Sequence, residues 1–265
     1  MQMALGGKGP CGNVPTNART ISNHCLPALA LSVNDSASDL PASNSPAWLS
    51  GLALALVFAA AAATQVDLPL ARWIAADNCP GSLAKLCGLA EVFSHGLGAA
   101  ALVVAVSVLD PANRRRLPWV LALTFGSGLF SNVFKLLVSR IRPRHFDLQQ
   151  TVSDTFTGWL PLLNAGSPGQ SFPSSHAATS AGLTIALIWL YPRGRWLFPV
   201  YAGLAGCQRM IVGAHYLSDV LCGAAVGCAC CAALISLRLK IGRRGNTRQL
   251  HERGAPLEQQ VSRAA

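Results

Sequence analysis

Between residues 47 and 237 the chain passes through one apolar stretch after another, with few charges inside them. A run of about 20 apolar residues is long enough to cross a bilayer as a helix, and a soluble domain has little room to bury several such runs. Six are legible: about 47–66, 86–109, 117–137, 177–191, 196–212 and 217–237. Trp48 stands at the start of the first, where an interfacial anchor belongs. The expected fold is therefore all-α, a polytopic membrane bundle of six transmembrane helices. It divides the chain into an N-terminal tail (1–46), a membrane domain (47–237) and a basic C-terminal tail (238–265).

Composition sharpens this. Charged residues make up 12% of the chain, against roughly 25% in a typical soluble domain, and mean hydropathy is +0.38. The formal net charge of +10 does not indicate nucleic acid, because the basic residues flank apolar runs instead of forming one solvated face. The expected partner is the bilayer, with no nucleic acid. Residues 1–46 are rich in Ser, Asn, Ala and Pro, and Leu26–Val33, their best apolar run, has no basic segment before it as a signal peptide would. Nine cysteines do not suit a disulfide framework. Four of them (Cys222, Cys228, Cys230, Cys231) sit in the last apolar run as small packing residues. Cys228 and Cys231 form a CxxC with no second pair at zinc-finger spacing, so no metal site is expected.

Twelve basic residues fall in one set of loops and the C-terminal tail, among them Arg114–Arg116, Arg193, Arg195 and Arg238. The positive-inside rule places these in the cytoplasm. An even number of spans then puts both termini there and turns loop 138–175 outward. That loop opens with a basic cluster of its own, which breaks the trend and needs a separate reason.

Charged groups beside membrane spans are costly and mark function. Three clusters qualify: Lys135 with Arg142-Pro143, Pro173-Ser174-Ser175-His176, and Arg209 with His215 and Asp219. With the topology above all three reach the outer face. Lys135 and Arg142 are two helical turns apart and share a face if the helix persists. With Arg209 they supply three cations around a small anion, the arginines offering forked donors suited to phosphate. Ser174 or Ser175 can cap the next helix, whose free N–H groups bind anions. His215 and Asp219, at i and i+4, place a carboxylate beside an imidazole on a helix, which fixes a tautomer. A histidine held in that way can attack phosphorus, with His176 as acid for the departing group. Singly, each cation reads as a side chain snorkelling to headgroups, and each histidine as a solvated interfacial group; the convergence argues otherwise.

The pattern Lys-x6-Arg-Pro, Pro-Ser-x-His, Arg-x5-His-x3-Asp resembles the three-part signature of the type 2 phosphatidic acid phosphatase superfamily, which also includes the vanadium haloperoxidases. Ser175 stands where the family commonly has Gly, and Gln208 where it has Ser. The resemblance implies that Lys135, Arg142 and Arg209 bind phosphate with Ser174 and the backbone at Ser175. It further implies that His215 forms a phosphohistidine, that Asp219 orients it, and that His176 protonates the leaving group. No metal or cofactor is implied. The implied activity is hydrolysis of a lipid phosphomonoester or pyrophosphate (phosphatidic acid, phosphatidylglycerol phosphate, an isoprenyl pyrophosphate or a lipid A phosphate) at the extracytoplasmic face of the cell membrane. A vanadate-dependent oxidase of the haloperoxidase kind, and a non-enzymatic anion-binding protein or transporter, are the alternatives.

Four features stand outside the motifs. Glu91 and His95, at i and i+4, read as an interfacial pair, with tuning of the site or contact with a headgroup as the alternative. Gly223 and Gly227 permit close helix approach within the protein. Loop 145–172, with Phe146, Trp159 and Leu160–Leu163, is placed to read the substrate. Cys79 and Cys87 stand near the outer face, where an oxidising compartment would allow them to pair.

Overall fold

The computed structural model describes residues 46–162 and 166–253, with side chains up to Ile241. The expected N-terminal tail lies outside the described residues except for Pro46, and so do residues 254–265 of the C-terminal one. Seven helices follow in order: α1 (Pro46–Ala75), α2 (Gly81–Ala90), α3 (Gly96–Leu109), α4 (Leu117–Lys135), α5 (Ser175–Leu190), α6 (Leu197–Ile211) and α7 (Leu217–Arg253). Between α4 and α5 two short strands, β1 (Val138–Arg140) and β2 (Phe156–Trp159), pair antiparallel.

Helix α5 is the hub. Thirteen of its 16 residues are buried, with α4, α7 and α6 packed around it and α1 lying along α7. The expected Gly223–Gly227 contact is internal. A Cβ on Gly223 would collide with the Ser174 carbonyl, and one on Gly227 with the Ala178 carbonyl, so α7 lies directly against α5. Cys228 and Cys231 are buried free thiols in the same core, and the Ser127 hydroxyl reaches the Leu123 carbonyl at 2.6 Å and the Cys231 sulfur at 3.5 Å.

The outer surfaces are apolar. Phe58 on α1, Leu109 on α3 and Leu129 on α4 are each more than 60% exposed, far beyond what water favours over so many faces. Lipid is the solvent these faces fit, and the chain is a membrane protein. Among the described residues three segments are long and apolar enough to cross a bilayer: α1, Pro111–Lys135 and Leu217–Ile241; the pair Gly81–Phe93 and Gly96–Leu109, bent by 65°, makes a fourth if it counts as one. The helices stand where six spans were expected, but α5 and α6 have only 16 and 15 residues. Enclosed by its neighbours, α5 does not have to match the bilayer by itself. The last expected span also has no break at 237, since α7 runs on helically through Arg253 into the basic segment.

At one end of the bundle Arg238 lies over Trp119 and Trp189, and Arg116 over Trp189. This pairing of aromatic and basic groups is typical of a membrane–water boundary. The opposite end carries the β1–β2 loop and the three motifs.

Candidate active site

Helix α4 stops at Lys135, so Lys135 and Arg142 do not share a helical face as the spacing suggested. The chain turns into β1, and the loop back to α5 is tied down by its backbone. Arg140 N–H donates to the Gly169 carbonyl (2.9 Å), Arg142 N–H to Pro168 (3.0 Å), and Ser171 N–H to the Arg140 carbonyl (3.0 Å). The Arg142 side chain is braced by the Ser167 carbonyl at 2.9 Å and that of Gln170 at 3.5 Å. The cations nonetheless converge. Lys135 and Arg142 repel one another, Arg142 feels Arg209, and His176 feels all three. Burial, with Arg144 and Arg209 beside it, works against the charge on Arg142, as clustering cations must.

Ser174 is the N-cap of α5, its hydroxyl accepting from Ala177 N–H at 3.3 Å, and its own N–H donates to the Asp219 carbonyl at 3.0 Å. Ser175 does not cap; its hydroxyl bonds to Asn132 of α4 at 2.6 Å. What it can offer an anion is the backbone N–H, which like that of His176 has no acceptor inside the helix.

His215 is 2% exposed. It lies before α7, not on it, and its Nδ1 is 2.7 Å from the Ser171 carbonyl. A carbonyl only accepts, so Nδ1 carries the hydrogen and Nε2 keeps its lone pair. Burial, with Lys135 and Arg142 nearby, holds the imidazole well below its usual pKa and therefore neutral. The expected direct Asp219–His215 hydrogen bond is not formed, since Asp219 Oδ2 stands 3.9 Å from Nδ1. Asp219 instead accepts from the Ser171 hydroxyl (2.6 Å) and from Tyr216 N–H (2.9 Å). It holds the two segments that flank the imidazole, and so acts on His215 through Ser171.

Arg140, inside the first motif but given no role from sequence, is wholly buried. It ion-pairs with Asp219 (2.5 Å) and with Asp67 of α1 (2.7 Å). It also donates to Ser218 and Thr155, and it is stacked between Tyr216 and Phe156, whose ring centres lie 4.2 and 4.6 Å away. Asp67 in turn accepts from Ser218 N–H at 3.0 Å. Sequence reasoning misses Asp67 because the apolar run ends at 66 by composition, whereas α1 continues to Ala75 and carries this acid inside the helix.

Glu91 and His95 are not a helical pair, because a 3-10 turn at Glu91–Phe93 separates α2 from α3. Glu91 ion-pairs with Arg209 at 2.5 Å and accepts from Gln208 at 3.0 Å. Gln208 also accepts from Arg209 Nε at 2.5 Å, so the residue that replaces the family's Ser joins Glu91 in holding the cation. The remaining Arg209 nitrogen is 3.2 Å from His176 Nε2, and the His95 ring is centred 6.0 Å from that of His176. Cys79 and Cys87 are free thiols, and Cys87 has Cys207 of α6 as a hydrogen-bonding neighbour. Among the described residues no three of His, Cys, Asp and Glu group as a metal site requires.

In sum the site offers three cations, helix N–H groups, a neutral buried imidazole and a second histidine, a set suited to phosphoryl transfer. Residues 116–243 match the model of the PAP2 superfamily. Lipid A 1-phosphatase of Rhizobium etli is 39% identical over 102 residues, covering 38% of this chain and 41% of that protein; the chain thus matches about two fifths of that relative's length. Decaprenylphosphoryl-5-phosphoribose phosphatase of Mycobacterium tuberculosis is 33% identical over 156 residues, covering 56% of this chain and 76% of that one. The solved transmembrane PAP2 type phosphatidylglycerolphosphate phosphatase of Bacillus subtilis superposes with a TM-score of 0.50 over 72% of this chain and 94% of its own, at 20% identity, a likeness of fold. On motif, fold and sequence match together, the chain belongs to the PAP2 superfamily.

Proposed function

We propose that the protein is an integral-membrane lipid phosphatase that hydrolyses a lipid phosphate through a phosphohistidine, without a metal. The observation that carries this is His215: buried, neutral, with Nδ1–H held by the Ser171 carbonyl and Lys135 and Arg142 beside it. Its Nε2 lone pair attacks phosphorus while the bond from phosphorus to the lipid oxygen breaks. Lys135, Arg142, Arg209 and the N–H groups of Ser175 and His176 bind the non-bridging oxygens. In the resting site His176 Nε2 accepts from the one Arg209 nitrogen that Glu91 and Gln208 leave over. Once that nitrogen shifts to the phosphate, Nε2 takes up the proton that a monoprotonated phosphate monoester brings in and gives it to the leaving oxygen. The alcohol leaves with that proton, and water then attacks the phosphohistidine while neutral His176 takes a proton from the water and the bond from phosphorus to Nε2 of His215 breaks. Inorganic phosphate leaves, and His215 is restored.

The relatives named above are lipid A and decaprenyl-linked phosphatases, which supports an amphiphilic substrate whose phosphate lies at the membrane surface. Phosphatidic acid, phosphatidylglycerol phosphate, isoprenyl phosphates and pyrophosphates, and lipid A phosphates form the candidate set. Six spans with both termini in the cytoplasm put the site at the extracytoplasmic face, a reading supported by the basic and aromatic groups at the opposite end. The test is phosphate release by the detergent-purified protein from this panel, with and without EDTA. Turnover of at least one member, undiminished by EDTA, is expected. Turnover abolished by EDTA and restored by magnesium contradicts the metal-free mechanism.

A further inference from the structure

We propose that Glu91 makes this site select lipid phosphomonoesters over lipid pyrophosphates, by fixing a negative charge on the wall where the leaving group departs. The inference rests on the proposed role of His176 as acid to that leaving group. It starts from the break between α2 and α3, which turns Glu91 into the site. One carboxylate oxygen binds Arg209 and the other Gln208, so the group cannot swing away. It is still 36% exposed, so a bound ligand feels its charge.

One guanidinium separates Glu91 from His176, with Arg209 bridging the two. The groups on this side of the site are therefore Glu91, Gln208, His176 and His95; among the described residues Arg209 is the cation bonded to the first three of them, while Lys135 and Arg142 act on His176 from further off. Lys135 and Arg142 reach the first phosphate. The next basic residue, Arg144, stands beside Arg142, on the side away from Glu91, with its Nε donating to His145 at 3.2 Å. Its N–H bonds to the Gly213 carbonyl at 3.1 Å, and it lines a cleft of about 250 Å³ together with His215, a cleft bordered by none of His176, Glu91 and His95.

A phosphomonoester fits this distribution. Its dianionic phosphate takes the three cations, and its leaving oxygen departs as a neutral alcohol after protonation. With a pyrophosphate, the leaving group is itself a phosphate. It carries charge throughout the reaction and has to lie against Glu91, where the one cation in contact, Arg209, is already shared with the first phosphate. At separations of several ångströms and an effective dielectric of about 20–40, one such repulsion changes the preference on the order of tenfold, about 1.4 kcal/mol.

The test compares farnesyl phosphate with farnesyl pyrophosphate, which share one tail, in detergent micelles. The wild type is expected to have the higher kcat/KM on the monophosphate. Glu91→Gln keeps the hydrogen-bonding shape without the charge, and it should raise the pyrophosphate-to-monophosphate ratio on the order of tenfold. Glu91→Asp, which keeps the charge, should stay near the wild-type ratio. If Glu91→Gln slows both substrates alike, Glu91 only holds Arg209 and the proposal is overturned. A measurement that needs no variant is inhibition of the wild type: inorganic phosphate should inhibit at lower concentration than inorganic pyrophosphate, and the reverse order overturns the proposal. A wild type inactive on both farnesyl substrates and on the rest of the lipid panel overturns the phosphatase reading itself, and this inference with it.

Discussion

Replacing Arg140 by Met probes the centre of the site without touching a group that meets the substrate. The guanidinium is completely buried, as are both carboxylates that it joins, so solvent screens none of these charges. Met fills much of the same volume but leaves Asp67 and Asp219 facing one another with no cation. Removing one partner of a buried ion pair costs about 3–5 kcal/mol, and the lost stacking on Tyr216 and Phe156 adds about 1 kcal/mol. A loss of about 5 kcal/mol in a domain of this size lowers the apparent unfolding midpoint by about 10–20 °C. A thiol-reactive dye reads this in detergent, because Cys87, Cys228 and Cys231 are buried free thiols that label only on unfolding. Adding Asp67→Asn to the Arg140→Met protein removes one of the stranded charges and should recover part of the loss, a coupling that two independent sites would not have. Arg140→Met at the wild-type midpoint, or a double variant less stable by the plain sum of the two single losses, refutes the argument.

Two further predictions concern the histidines. His215→Ala should abolish turnover, a loss on the order of 10⁴-fold or more, whereas His176→Ala should cost roughly 10²–10⁴-fold on a lipid alkoxide and recover on an aryl phosphate whose phenolate departs without a proton; equal recovery of both variants contradicts the assigned roles. The pH dependence follows from the lowered pKa of His215. Below the usual value of about 6.5 the unfolded chain takes up a proton there that the native state resists, so the contribution of this group to stability is whole above about pH 6.5 and is lost as acid carries the pH down through the native pKa. Histidine-selective ¹⁵N NMR should find His215 neutral at pH 6.5, and an imidazolium signal contradicts this.

The sequence was most informative where spacing and chemistry coincided. Lys135, Arg142, Arg209, Ser174 and His176 come together as the motifs implied, because each sits at the end of an element or on the loop over that end. What sequence could not supply were partners set by backbone and by distance along the chain. The acceptor for His215 is a main-chain carbonyl of Ser171, which no side-chain pattern reveals. Arg140 meets carboxylates 73 and 79 residues away. Glu91 was assigned to His95 because i, i+4 spacing presumes an unbroken helix, whereas the turn at Glu91–Phe93 sends it to Arg209. The same limit applies to the spans. Apolar composition located the helical stretches of the described residues but read α2 and α3 as one run, and composition does not tell a helix that faces lipid along its length from α5, which is short and enclosed.

The central claim is that His215 carries the phosphoryl group in mid-reaction. Rapid mixing of the purified protein with a ³²P-labelled lipid phosphate that it turns over, quenched into alkaline denaturant where a phosphohistidine survives, tests it directly. The expected result is transient label on the peptide that contains His215, absent from the His215→Ala protein. Steady turnover with no protein-bound label, or label on a residue other than His215, contradicts it.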